Sequence, residues 1–428
     1  MTAPVAPVSS TAMPPAERVL WNVRVIPGDG TPARERMAVG VRDERIAWVE
    51  PAGGEDPPAE ALDCAGRALL PGLIDAHVHL SSSTERSPGF GPPEPLHGEE
   101  PRQRELGYYV LAQSAAELLA AGVTTVRDVG SFDLEGVSVR QAVELGLLAG
   151  PRVLSCGRII SATSPGGAIF GSMYHEADGP YAMRHAVRRQ LRDGASFIKV
   201  MATGARSVVR EDPEPAQMTR EELRAIVEEA HRMGFRVAAH AEGLEGTRMA
   251  IEEGVDTVEH GLALHRAPDL LAVMAERGTT LVPTLSTFHD VADRFAPCFA
   301  PVLVDLAKRQ AEEAALTVAA ARTAGVPMAM GYDSGPPGAN LAELVRMADA
   351  GLTGGEAVVA ATSAAARALG LHDVGVVRPG AVADLVLVDG DPLADPAVLA
   401  RRDAIQLVLA GGRPVAGGMC RPADPWQT

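Results

Sequence analysis

Short apolar runs of strand length occupy both ends of the chain, and a different rhythm fills the middle. Residues 19–26, 37–41 and 45–49 read as strands, separated by turn signals at Gly28-Asp29-Gly30 and Pro51-Ala52-Gly53-Gly54. Residues 383–388 and 404–410 read the same way, with Asp389-Gly390-Asp391-Pro392 between them. The first set lacks enough strands to close by itself. The two ends together predict one small β-sandwich domain, built from residues 16–70 and 375–420. Between them strand, loop and helix recur, with helical spacing of apolar positions over 103–121, 219–233, 268–277, 301–324 and 341–350. Strands alternating with helices imply a parallel sheet, and this many units implies a closed barrel over 71–374. The expected fold class is α/β, a (β/α)₈ TIM barrel carrying a composite β-sandwich.

Composition narrows the partners. The 428 residues are 46% hydrophobic and 22% charged, which fits a soluble globular chain with a large core. The 39 Lys+Arg against 55 Asp+Glu give a formal net charge of −16, which argues against nucleic acid or an anionic membrane surface. A small-molecule substrate is the expected partner, and a homo-oligomer is compatible with the sequence. Cys64, Cys156, Cys298 and Cys420 are far apart and predict free thiols. Residues 1–15, rich in Ala, Pro, Ser and Thr with neither a basic nor an apolar signal segment, read as a disordered tail. No run reaches the length of a membrane span, and a cytoplasmic location is expected.

The chemistry begins at Pro71-Gly72-Leu73-Ile74-Asp75-Ala76-His77-Val78-His79. Side chains at i and i+2 of a strand share a face, so His77 and His79 converge, as two neutral imidazoles would on a divalent transition metal. An isolated His-x-His fits a surface or core position equally well. Four further strand ends carry ligand-type residues in order: Lys199 within Phe197-Ile198-Lys199-Val200-Met201, then His240, His260 and Asp333. Lys199 is the sharpest of these, because an ammonium among apolar neighbours is disfavoured unless neutralised or paired. The alternatives are a surface lysine on an edge strand, core histidines, and a helix cap for Asp333.

This ordered set, with Thr124-Thr125-Val126-Arg127-Asp128-Val129-Gly130, Lys199-Val200-Met201-Ala202-Thr203-Gly204 and Pro379-Gly380-Ala381-Val382-Ala383-Asp384-Leu385, resembles the metal-dependent amidohydrolase superfamily. The resemblance is to its imidazolonepropionase-like and prolidase-like branch, of the binuclear, carboxylated-lysine type, and it extends from about Glu17 to Pro414. It implies eight barrel strands at 73–79, 124–129, 152–160, 197–202, 237–240, 257–260, 280–285 and 328–333. It further implies that His77, His79 and Asp333 hold one ion, that His240 and His260 hold the other, and that a CO₂-derived carbamate on Lys199 bridges them. Zinc suits such a donor set, with manganese or cobalt as substitutes. Two ions about 3.5–4 Å apart can share a hydroxide and polarise a carbonyl, with Asp333 as the proton shuttle.

The implied activity is cleavage of a C–N amide bond in an N-acyl amino acid, a dipeptide such as Xaa-Pro, or an ochratoxin-like aryl amide. A cyclic amide or imidazolone, carbamate or urea hydrolase is the alternative within enzymes, and a non-catalytic assembly or regulatory barrel the alternative outside them. A substrate carboxylate would call for Arg206 or Arg210, and His175 and His289 lie in segments expected near the barrel mouth. Two loops depart from the branch: Ser164-Pro165-Gly166-Gly167-Ala168 lacks the histidine that commonly follows such a stretch, and Gly204-Ala205 stands where a Gly-Gly pair is usual.

Overall fold

The computed structural model describes residues 17–54, 57–82, 105–205, 208, 210–335 and 337–419. Strands β1 (Arg18–Val25), β2 (Arg34–Arg42), β3 (Arg45–Pro51), β4 (Ala61–Asp63) and β5 (Ala68–Pro71) open the chain. The central strands are β6 (Leu73–Val78), β7 (Val123–Asp128), β8 (Arg152–Ser155), β9 (Ile159–Ser161), β10 (Tyr174–Glu176), β11 (Ile198–Met201), β12 (Val237–Ala241), β13 (Thr257–His260) and β14 (Thr280–Val282). Strands β15 (Leu385–Val388), β16 (Ile405–Ala410) and β17 (Arg413–Ala416) close it.

The two ends of the chain share a single sheet in the order β17-β16-β15-β5-β1-β2-β3, with β4 beside β1. Its junction is the antiparallel pair β5–β15, which sets Leu69 opposite Leu387 and Leu70 opposite Val386. Because successive side chains alternate, this pairing gives the sheet two apolar faces. Leu69, Leu385 and Leu387 pack with Leu20 and Val39 in one core, whereas Leu70, Val386 and Val408 pack with Leu73 and Val123 of the central strands in another. The end strands are thus bound to the central unit by burial of their second face.

The central strands form two parallel sheets, β6-β7-β8 and β10-β9-β11-β12-β13-β14. Backbone bonds link them: Ser196 N donates to Ser155 O at 2.7 Å, Met328 bridges to Leu281 beside β14, and Ala76 N donates to Met330 O at 2.8 Å. Strands β6, β7, β11, β12 and β13 are buried along their whole length, as parallel strands covered on both sides must be. Helices Pro268–Arg277 and Pro301–Ala324 start and stop where the sequence predicts, with proline in the first turn and left-handed Gly278 and Gly325 after the last. Helix Arg220–Arg232 carries a capping box between Thr219 and Glu222. Among the described residues no helix is long and apolar enough to cross a membrane.

Four expected elements differ. The strand expected over 152–160 is broken into β8 and β9 by Gly157, whose φ of +67° turns the chain. The strand expected over 280–285 stops at Val282, because Thr284 turns at φ +49° and Leu285 starts the helix Leu285–Ala292. Residues 328–333 make one bridge instead of a regular ladder, since Asp333 turns at φ +46°. Here Gly331 lets two backbones approach closely: a Cβ on it would lie 2.6 Å from the His77 Cβ and 2.4 Å from Val282 Cγ1. The stretch at 165–168, expected as a loop, belongs to the short helix Pro165–Phe170. The proposed tail lies outside the described residues.

Candidate active site

His77 lies in β6 and His79 just beyond it, Lys199, His240 and His260 come from β11, β12 and β13, and Asp333 follows the segment that bonds β6. The structure brings all six together. His77 Nε2 and His79 Nε2 lie 3.3 and 3.5 Å from Asp333 Oδ1, and His260 Nδ1 lies 3.8 Å from Asp333 Oδ2. The rings of His77 and His260 are 5.1 Å apart, and those of His240 and His260 are 4.6 Å apart. Donor atoms of His77, His260 and Asp333 fall within 4.8 Å of one another. His260 thus lies both against the His77–Asp333 pair and against the ring of His240.

Two of these residues occupy strained backbone. His260, with φ +68°, is the middle of a γ-turn in which Gly261 N donates to Glu259 O at 2.9 Å. The turn breaks the strand alternation, so adjacent Glu259 and His260 both reach His77. Asp333 is also left-handed, and its N–H donates to His77 O at 2.9 Å. Left-handed conformations of non-glycine residues cost energy and persist where surrounding contacts enforce them, often at functional sites.

Each imidazole is held by one nitrogen. His77 Nδ1 meets Glu259 Oε2 at 2.6 Å, His79 Nδ1 meets Gly130 O at 2.8 Å, His240 Nε2 meets Gly204 O at 3.2 Å, and His260 Nδ1 meets Thr284 Oγ1 at 2.7 Å. Such bonds orient the four rings, as the partners of metal-binding histidines do. Burial lowers the pKa of three of these rings: it pushes His79 down to about 4 and, with Lys199 nearby, His240 down to about 3, and it lowers His260 well below the ordinary value. The donor set therefore fits a divalent ion.

Lys199 is 2% exposed, and among the described residues no carboxylate lies within ion-pairing distance of its amine. Burial lowers its pKa, which favours the uncharged amine. Burial raises the pKa of Asp333, but the charge and hydrogen bond of His77 outweigh this and hold its carboxyl below the ordinary range.

Sequence reasoning missed the polar layer beneath these residues. Arg127 donates from Nε to Ala76 O at 2.6 Å and from its terminal nitrogens to Thr257 and to Glu259 Oε1, the latter at 2.7 Å. Burial works against ionisation of Glu259, but Arg127, the His77 hydrogen bond and Lys199 hold its pKa low. Asp75, two residues before His77, accepts from His77 N, Tyr332 N and Asn340 Nδ2. Charged residues inside all-buried strands were the available signal.

The cluster opens into a cavity of about 340 Å³ whose walls are mainly apolar, with Phe170, Tyr174, Phe288, Phe295, Phe299 and Leu303 prominent. Apart from the histidines, Lys199 is the only basic side chain among the described residues that line it. The expected substrate arginines are not there: Arg210 is exposed and away from the cavity, and Arg206 lies outside the described residues. His175 bonds Arg158 at 3.1 Å, and His289 lies on the Leu285–Ala292 helix beside the lining residue Phe288; neither lines the cavity. The two atypical segments are tied by one side chain, since Glu211 accepts from Gly166 N at 2.6 Å and from Ala205 N at 2.8 Å. In place of the missing histidine, Ile169 and Phe170 present apolar surface to the cavity.

Donor groups gathered at the ends of parallel strands, beneath a cavity for a small molecule, are the arrangement of a barrel-type hydrolase with a His/Asp metal site. Residues 68–415 match the amidohydrolase family, and the chain belongs to that family. It is 32% identical over 430 residues to the ochratoxinase of Aspergillus niger, covering 92% of this chain and 86% of the other. It is 28% identical over 434 residues to an imidazolonepropionase of Maricaulis maris, covering 93% and 95%. A Xaa-Pro dipeptidase structure with methionine bound in the active site is similar over 93% of this chain and 99% of that one, with a TM-score of 0.83 at 29% identity. The fold is of the TIM-barrel type, and the protein is a hydrolase acting on C–N amide bonds.

Proposed function

We propose that the protein hydrolyses amides of small acids in which a bulky apolar, preferably aromatic, group flanks the scissile bond, as in ochratoxin-like aryl amides and aromatic N-acyl amino acids. The observation that carries this reading is the cavity, walled by Phe288, Phe295, Phe299 and Leu303 and lined by no arginine among the described residues. A compact aliphatic dipeptide would leave that apolar wall uncovered. We read the central unit as a closed (β/α)₈ barrel over 71–374, and the shared terminal sheet as a β-sandwich domain of 16–70 with 375–420. A cytoplasmic setting belongs to the same reading.

In this reading His77, His79 and Asp333 hold one divalent ion and His240 and His260 a second, with zinc the assigned metal. When bound, such ions supply Lewis acidity, making water a stronger acid and an amide carbonyl a better electrophile. Lys199, whose pKa burial lowers, is suited as the free amine to add its nitrogen to CO₂ and lose a proton, giving a carbamate anion with two donor oxygens. That reaction leaves an anionic ligand in place of a buried amine. Asp333, kept ionised by His77, takes the proton from the attacking water and returns it to the leaving nitrogen. Glu259 holds His77 by its Nδ1–H, and Arg127 keeps Glu259 charged. The aromatic wall excludes water from the acyl or aryl group.

The test is elemental analysis of protein purified without chelator, with mass analysis of Lys199 and assays on matched aromatic and aliphatic N-acyl amino acids. About two ions per chain, carboxylated Lys199 and preference for aromatic members are expected. A single ion unaffected by Lys199→Ala, or equal activity on both series, would overturn the corresponding part.

A further inference from the structure

The helix Pro301–Ala324 faces the cavity with Leu303, Ala307 and Gln310, spaced so that all three share one side. Leu303 and Ala307 continue the apolar wall. Gln310 does not. The residue is 5% exposed, it lines the cavity, and its amide, which is not sealed from the cavity, makes no hydrogen bond to another described residue. About two turns further along the same buried stripe, Thr317 shows how this helix otherwise treats a polar group, since its hydroxyl donates to Leu262 O at 2.9 Å. A primary amide offers two N–H donors and a carbonyl acceptor, and an apolar ligand covering the wall would leave them unpaired at a cost. An apolar residue of similar length would fill the same space without that cost.

We infer that Gln310 is a specificity-determining residue: its amide hydrogen-bonds an oxygen, hydroxyl or carbonyl, carried on the apolar part of the substrate that lies against Phe295, Phe299 and Leu303. The inference rests on the aromatic-amide reading above and adds a polar address to it. A site built to hydrogen-bond such an oxygen discriminates against the analogue lacking it more sharply than an apolar wall distinguishes similar shapes, because the unpaired amide is left buried in the complex. The group recognised is neutral, because glutamine brings no charge to balance an ion.

The test uses metal-loaded enzyme and a panel of N-benzoyl-phenylalanine with a hydroxyl at each position of either ring, beside the unsubstituted compound. The kcat/KM of each is measured, with calorimetric binding of the corresponding product acids and amino acids. In the parent, at least one hydroxylated member is favoured over its unsubstituted partner by about tenfold or more, in turnover or in binding. Gln310→Met brings that ratio to about one and melts no lower than the parent. Gln310→Glu, which keeps an acceptor, retains preference for the hydroxyl donor. A parent that favours no hydroxylated member, or a ratio unchanged in Gln310→Met, overturns the inference. Failure of the parent to hydrolyse any member would count against the aromatic-amide reading, while the binding ratio would still decide the role of Gln310.

Discussion

Glu259 Oε2 lies 2.6 Å from His77 Nδ1, a bond that fixes which ring nitrogen of His77 faces Asp333. The other oxygen of Glu259 belongs to Arg127, so a carboxylate with no exposed surface is satisfied on both sides. Partners of this kind orient a metal-binding imidazole and raise its basicity.

Glu259→Gln keeps the volume and removes the charge. Metal affinity is expected to fall by about 10- to 100-fold, read by competition with a chromogenic chelator. Arg127→Met instead leaves Glu259 buried without its cation. That change is expected to cost about 3–5 kcal/mol of stability, measured by chemical denaturation of both variants. If Arg127→Met is no less stable than the parent, the ion pair is not what holds this layer together.

Asp333 presents one oxygen to His77 and His79 and the other toward His260. As the proposed proton carrier, it should affect turnover more than ion retention. Asp333→Asn is expected to lower kcat by about 10²- to 10⁴-fold while elemental analysis still finds most of the bound metal. Parallel losses of metal and activity would instead make Asp333 a ligand alone.

The aromatic wall predicts a separate pattern. Phe299→Ala removes apolar surface from the cavity without touching the polar cluster. Burial of a phenyl side chain is worth about 1.5–3 kcal/mol, so kcat/KM for an aromatic N-acyl substrate should fall by roughly 10- to 100-fold. For an N-acetyl analogue it should barely change. Equal losses on both would show that Phe299 supports the fold instead of the substrate.

The metal-type residues were legible because each stands alone at the end of an apolar strand. His77, His240, His260 and Asp333 at strand ends, and Lys199 within its strand, all line one cavity. Glu259 escaped because alternation puts neighbours on opposite faces, and only the γ-turn at His260 brings both inward. Gln310 escaped for another reason: helical spacing marks it as inward-facing but says nothing of whether a partner waits there. The helices at 268–277 and 301–324 were legible to the residue because proline and glycine mark both ends. The segment at 328–333 was not, since its bonds to β6 depend on Gly331 and on the turn at Asp333.

Away from the cavity, Glu229 on helix Arg220–Arg232 accepts from Arg188 Nε at 2.7 Å on the neighbouring helix Pro180–Arg192. The Arg188 hydrogen bond, assisted by Arg232, holds the Glu229 carboxyl down at about 2, against an ordinary value of 4.5. A carboxyl depressed on folding contributes stability above the unfolded value and loses it as pH falls toward the folded one. The contribution of Glu229 is therefore complete above pH 4.5 and declines between 4.5 and 2. Thermal melts of the parent and Glu229→Gln should differ most at pH 6–7, and their separation should shrink steadily from about pH 4.5 downward. A separation that holds constant to pH 3 would mean that Glu229 contributes through packing and neutral hydrogen bonds, not through its charge.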